Sequence, residues 1–315
     1  MASGGPAGIQ MTVKDWLTMA LLSVVWGASF FSIEIAVTEL PPFTIVSIRV
    51  GLAAIALFFY MRAKGIPLPF EGRSYKGQVI FAMALMGFFN NIVPQSLIVW
   101  GQTHITSSLA SILNATMPIF TVFIAHFFTS DEKLTANRLI GVLVGFGGVV
   151  LIVGPAALKG LTSGLLGQTA VLGGAASYAV AAVIGRRFVR LGLKPMQIAF
   201  GQVLAAAVMF TPFAVLYEKS YALAMPSTGV ILALISLATI STAFAYLLYF
   251  RLIANAGATN ASLVTLTIPV TASALGIGFL GEVLEPTHGL GLVCIGLGLL
   301  IINGRMFRRR ATGVV

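Results

Sequence analysis

The sequence is short of charge, and above all of acid. Of 315 residues, 19 are Lys or Arg and 9 are Asp or Glu, so 9% are charged, against roughly 25% in a typical soluble domain. An ordinary soluble enzyme and a disordered chain are both excluded by that scarcity. There is one cysteine, Cys294, inside an apolar run. It excludes an intramolecular disulfide or a thiolate metal site and reads as a small packing residue. No HExxH, Gly-x-Gly-Asp or Gly-x-Ser-Gly motif occurs, and the two Asp residues stand at the edge of an apolar run, Asp15, or outside the runs, Asp131. The usual intramembrane proteases are thereby set aside. The absence of a Walker A loop excludes an ATP-driven pump. No Asn-Pro-Ala pair and no carbonyl-filter sequence supports a channel.

What is present is hydrocarbon. AVILMFWYC residues make up 58% of the chain and the mean hydropathy is +0.98. A membrane-crossing helix takes ~20 residues, so there is material for about ten. Pro, Gly and charge clusters divide the apolar runs into 14–37, 42–62, 76–101, 106–129, 136–154, 164–190, 195–218, 226–253, 258–281 and 286–305. The expected fold is an all-α membrane protein of ten transmembrane helices. Residues 1–13 read as a flexible tail without a cleavable signal, and 306–315 as a basic cytoplasmic tail.

The net charge of +10 would suggest nucleic acid in a soluble protein. Here the loops explain it. With the N-terminus in the cytoplasm, 16 of the 19 Lys and Arg fall on the inner side, Lys159 and Lys219 on the outer, and Arg49 within a run. That is the positive-inside pattern. It predicts both termini in the cytoplasm, the bilayer as the partner, and no nucleic acid.

The chain repeats itself at a period of about 150 residues. Ala110-Ser111 and Pro118 match Ala261-Ser262 and Pro269. Glu132-x-Leu134 and Gly141 match Glu282-x-Leu284 and Gly291. Pro42, Ile45 and Arg49 match Pro195, Ile198 and Gln202, and Trp26 stands opposite Tyr178. Two halves of five helices follow, 14–154 and 164–305. Because five is odd, they insert in opposite senses, the inverted repeat that lets one protein present two similar faces in turn. Gly141-x-x-x-Gly145 with Gly147-Gly148 and the glycines of the tenth run form small-residue faces. These serve packing within the chain or dimerisation; a monomer is slightly favoured.

Pro118 and Pro269 lie at the midpoints of their runs. Each frees a carbonyl four residues back, on Asn114 and Thr265, which suggests matched hinges. Pro94 does the same for Asn90. Polar and aromatic groups at this depth are Trp26, Asn90, Asn91, Gln95, Asn114, Ser241, Thr242, Tyr246 and Thr265, with Trp100 nearer the outer end. Any single hydroxyl can be helix–helix glue, and Trp100 can belong to the interfacial aromatic belt. Amides beside a proline and aromatic walls also suit a substrate cavity. Glu34 and Arg49 are the ionisable groups at depth. Their similar levels suggest an ion pair or a coupling site.

Taken in order, Trp26-Gly27-Ala28-Ser29-Phe30, Pro42…Arg49, Ala110-Ser111…Pro118…Glu132-x-Leu134…Gly141, Ala243 to Arg251, and Ala261-Ser262…Pro269…Gly281-Glu282…Gly291 resemble the EamA-type branch of the drug/metabolite transporter superfamily. They are also similar to YddG-type bacterial exporters of aromatic amino acids. The resemblance covers nearly the whole chain. It implies a central cavity, export by alternating access across the bacterial inner membrane, and no ATP or other cofactor. Carried onto this chain, it makes Trp26, Asn90, Asn91, Gln95, Trp100, Asn114, Tyr178, Tyr246 and Thr265 candidate substrate-binding residues and Pro118 and Pro269 bend points. The substrate it implies is a small molecule, an amino acid by preference; a proton-coupled exporter of drugs or other metabolites is the alternative. Tyr178 stands where such proteins often carry Trp, and Gln202 where the first half has Arg49.

Overall fold

The computed structural model describes residues 12–71, 76–128, 136–158, 163–185, 191–256 and 264–302. The tail beyond residue 302, residues 1–11, and the Glu132-x-Leu134 and Ala261-Ser262 motifs lie outside the described residues. Among the described residues the regular structure is all helical.

The helical segments run in chain order as α1 (Val13–Ala36), α2 (Pro42–Ala63), α3 (Lys76–Gln102), α4 (Ser107–Phe128) and α5 (Ala136–Leu158). The second half has α6 (Ser163–Gly185), α7 (Pro195–Glu218), α8 (228–256), α9 (Val264–Leu280) and α10 (Pro286–Ile302). Seven of them, α1–α4 and α6–α8, are long and apolar enough to cross a membrane; α5 and α9 contain shorter apolar stretches, Leu139–Leu151 and Thr267–Leu280. Their outward faces carry exposed Phe59, Phe81, Phe127, Val208, Phe279 and Leu290. A soluble protein does not present apolar surface on that scale, and lipid is the solvent that suits it.

Local signals set the helix starts. Thr12 caps α1 and closes a reciprocal box with Asp15, satisfying two otherwise orphan donors. Pro42 and Pro195 open α2 and α7 at the one turn where a missing N–H costs nothing. Thr106 and Ser227 cap α4 and α8.

The two halves interlock. The principal neighbours of the first-half helices lie in the second half: α1 packs on α8 and α9, α2 on α7 and α8, α3 on α6 and α7, α4 on α6, and α5 on α10. Exchanging each helix with the one five places on maps this set of pairs onto itself, a pseudo-two-fold relation. Close approach needs small residues. A Cβ at Gly27 of α1 would overlap Thr271 Oγ1 of α9. On α10, one at Gly298 would lie 2.5 Å from the Gly141 carbonyl of α5. Gly141, Gly145 and Gly148 of α5 therefore meet Gly291 and Gly298 of α10 inside one chain, while Gly147, Gly289 and Gly296 face open space.

One end of the bundle is tied by carboxylates that cross between the halves. Glu218, at the end of α7, accepts from the Phe43 and Thr44 N–H groups of α2 at 3.0 and 2.6 Å. Glu282, after α9, accepts from the Ser107 and Ser108 N–H groups of α4 at 2.9 and 3.0 Å, and from both serine hydroxyls. Glu39, after α1, accepts from the Ser227 N–H of α8 at 2.7 Å. A helix N-terminus offers unpaired N–H groups and a partial positive charge, so a carboxylate satisfies both.

Candidate substrate site between the two halves

Two helices lose their regular hydrogen-bond ladder at the same place in the repeat. Phe88–Ile92 of α3 and Ser236–Phe244 of α8 are π-helical. The two segments are separated by the repeat period. In each, one extra residue per turn shifts the ladder to i+5 and leaves carbonyls open to side chains, an arrangement frequent at functional sites. Pro94 explains the first segment, because it cannot donate back to Asn90. The second has no proline; there Thr242 donates its hydroxyl to the Leu237 carbonyl five residues earlier, at 2.8 Å. Ser177 of α6 donates to the Phe89 carbonyl of the first segment at 2.8 Å, and Ser241, within the second, donates outward to the Val25 carbonyl of α1 at 3.0 Å.

Each π-segment is gripped by the second helix of the opposite half. Arg49 of α2 is 8% exposed and donates from Nε to Thr242 Oγ1 at 3.0 Å. Its counterpart Gln202 of α7 is 2% exposed and accepts from Asn90 Nδ2 at 2.9 Å. Asn90 also neighbours Tyr246, and Tyr178 and Tyr246 lie within electrostatic reach of the Arg49 guanidinium. Arg49, Asn90, Tyr178, Gln202, Thr242 and Tyr246 thus form one polar cluster fed by five helices, α2, α3, α6, α7 and α8. Trp26 of α1 packs on Tyr249 of α8, ring centroids 5.4 Å apart, which adds an aromatic wall from the α1 side of α8.

Gln95 donates to Asn91 Oδ1 at 3.3 Å, while Asn91 Nδ2, Gln95 Oε1 and Asn114 Oδ1 are buried without a hydrogen-bond partner. Thr265 is half-buried on α9 and makes an interaction of its own. Trp100 stands apart. It is ten residues beyond Asn90 on α3, which is ~15 Å along a helix, and its ring packs on His104 with centroids 4.4 Å apart.

The two prolines behave differently. Near Pro118, α4 is interrupted: Ser107–Asn114 and Met117–Phe128 are separate helices joined by a turn at 115–116. Pro269 sits inside α9, which stays helical through it.

The expected ion pair between Glu34 and Arg49 does not form. Glu34 accepts from Gln102 Nε2 of α3 at 3.0 Å, and that amide also donates to the Phe30 carbonyl at 2.9 Å. Arg49 turns the other way, to α8. Similar depth placed the two together in the sequence; the azimuth of each side chain on its own helix separates them.

Three features escaped the sequence reading. The π-segments leave no compositional trace in α8. The Asn90–Gln202 bond was foreshadowed only by the match of Gln202 to Arg49. The carboxylate ties join residues 174 to 188 positions apart, and a single sequence carries no signal for that. A cleft of about 630 Å³ lies between α2, α7 and the α7–α8 connection. Its walls are largely apolar, including Ile48, Leu52, Ile55 and Val215, and none of the candidate substrate-binding residues lines it.

An internally duplicated membrane bundle with polar groups from both halves meeting at its centre has the build of a secondary transporter. The chain belongs to the EamA-like transporter family, within the drug/metabolite transporter superfamily; the family model matches twice, over residues 15–154 and 165–304. Similar proteins include the "Uncharacterized transporter YoaV" of Bacillus subtilis (strain 168), 26% identical over 95% of this chain and 99% of that one. The "Uncharacterized inner membrane transporter YedA" of Escherichia coli (strain K12) is 27% identical over 90% and 88%. A "Probable amino-acid metabolite efflux pump" of the same strain is 25% identical over 92% and 95%. A solved crystal structure superposes with a TM-score of 0.66 at 17% identity, covering 94% of this chain and 99% of that one, a likeness of fold.

Proposed function

We propose that this protein exports aromatic and other neutral amino acids across the bacterial inner membrane by alternating access, without ATP. In this reading all ten helices cross the bilayer, as two inverted repeats over 14–154 and 164–305, and both termini are cytoplasmic. The observation that carries it is the reciprocal grip at the centre, Arg49 on Thr242 and Gln202 on Asn90. A site shared by two pseudo-symmetric halves can open to either side when one half rocks against the other. The carboxylate ties on Glu39, Glu218 and Glu282 are then contacts of a closed end that must part during the cycle. The turn at 115–116 beside Pro118 and the bend point at Pro269 give α4 and α9 the freedom to do so.

The substrate class rests on chemistry and on the similarity to an amino-acid metabolite efflux pump. Asn90, Tyr178 and Tyr246 offer hydrogen bonds to a zwitterion, and Trp26 and Tyr249 offer a flat apolar wall. Asn91, Gln95, Asn114 and Thr265 line the approach, and Trp100 guards the end of α3. The protein works as a monomer.

The test is counterflow in proteoliposomes preloaded with phenylalanine, without a pH gradient. Uptake of labelled phenylalanine and tryptophan above that of glutamate is expected, and Asn90→Ala should weaken it. Uptake that appears only under a proton gradient, and is lost in Glu34→Gln, would overturn the uncoupled mechanism. No amino-acid uptake under either condition would overturn the substrate class.

A further inference from the structure

We propose that Arg49 is the carboxylate-binding group of the substrate site, so that the protein selects molecules carrying a carboxylate and not amines in general. This inference rests on the amino-acid reading above and sharpens it to one functional group.

The argument is one of charge. Arg49 is more than nine-tenths buried in the middle of a membrane bundle. Among the described residues its hydrogen bond is the one from Nε to Thr242, which leaves the four N–H groups of the two terminal nitrogens for something else. Every described carboxylate is engaged away from it. Glu34 holds Gln102, and Glu218 and Glu282 hold helix N-termini. Asp15 holds Thr12, Glu39 holds Ser227, Glu71 holds Leu68 and Glu285 is near Thr287. Asp131 and Glu132, in the α4–α5 connection, lie outside the described residues. A buried cation without a counter-ion is costly and is retained where an anion comes to it.

The groups facing Arg49 suit that visitor. Tyr178 and Tyr246 lie within electrostatic reach of the guanidinium, and Thr242 holds its Nε, so its fork is oriented before the ligand arrives. A planar fork of terminal nitrogens binds a carboxylate bidentately. Gln202, the pseudo-symmetric position, is filled by Asn90 and carries no charge. The site is therefore polarised: the anionic end of a zwitterion goes to the Arg49 side. Its ring goes toward the flat apolar wall of Trp26 and Tyr249.

Direct binding to the purified protein tests this with four probes that share one ring: phenylalanine, 3-phenylpropionate, phenylalaninamide and phenethylamine. Phenylalanine and 3-phenylpropionate are expected to bind about 10- to 100-fold more tightly than the amide and the amine, the range of a hydrogen-bonded charge contact. Arg49→Gln, which copies the residue at position 202, should erase that preference, and Arg49→Lys should keep part of it. Equal or tighter binding of the amide and amine to the unaltered protein would overturn the role of Arg49 and leave the transporter reading standing. Failure of all four probes to bind would overturn the amino-acid reading and the inference with it. Because the probe series is run on the unaltered chain, the result does not depend on the variants folding.

Discussion

On α2 the position seven residues past the opening proline is a cation, Arg49; on α7 the matching position is an amide, Gln202. Both reach across to the π-segment of the opposite half, one to Thr242 at 3.0 Å and the other to Asn90 at 2.9 Å. The backbone is pseudo-symmetric there and the chemistry is not. The difference teaches that duplication supplied the frame, two grips on two irregular helices, while substitution on one side made the frame selective. The Gln202–Asn90 pair is neutral and complete, a contact that holds α7 to α3. The Arg49–Thr242 pair leaves charge over.

The sharpest way to break the comparison is Arg49→Met. Replacing an unpaired buried charge by an apolar side chain of similar length often stabilises. The variant should melt at the temperature of the parent or above it, while phenylalanine exchange in proteoliposomes falls ~10-fold or more. Loss of folding would make Arg49 structural. The mirrored change, Gln202→Leu, leaves Asn90 without its acceptor. It should lower stability by about 1 kcal/mol, read by denaturation in detergent, and slow exchange less than Arg49→Met does.

The closed end offers a smaller contrast. Glu282→Gln keeps the shape but removes the charge from a carboxylate that accepts from two N–H groups and two hydroxyls. Charge-assisted bonds are about twice as strong as neutral ones, so cysteine pairs placed across α4 and the α9–α10 connection should cross-link less readily. Pro118→Ala should heal the break at 115–116 and slow exchange severalfold; Pro269→Ala, in a helix already continuous, should do less. The smallest effect belongs to Glu39. The hydroxyl and N–H of Ser227 hold its carboxyl below the ordinary range. A depressed pKa contributes stability above the unfolded value, and that contribution fades as pH falls through the folded one. Because Glu39 is fully exposed, Glu39→Gln should change the exchange rate less than Glu282→Gln does and flatten a slight loss of stability on the acid side.

Helix placement was legible because bilayer thickness, proline and glycine act locally. The reading of 195–218 coincides with α7, Pro195–Glu218, and 42–62 with α2, Pro42–Ala63, to one residue. The interruption of α4 beside Pro118 was legible for the same reason. Asn90, Tyr178 and Tyr246, expected from the sequence at one level, lie in one polar cluster. Azimuth was not legible. Apolar residues surround these helices on all sides, so no amphipathic stripe says which way Glu34 or Arg49 faces, and the pair expected from depth does not form. Trp100 shares α3 with Asn90 but stands ten residues further on, beside His104. The π-segment of α8 was illegible because one shifted hydrogen bond per turn costs too little to need a special residue.

The most direct measurement is an experimental structure with phenylalanine bound. The account predicts ligand density between Arg49 and Tyr246, with the carboxylate on the terminal nitrogens of Arg49 and the ring toward Trp26. Density in the apolar cleft between α2 and α7, beside Ile48 and Val215, would contradict it.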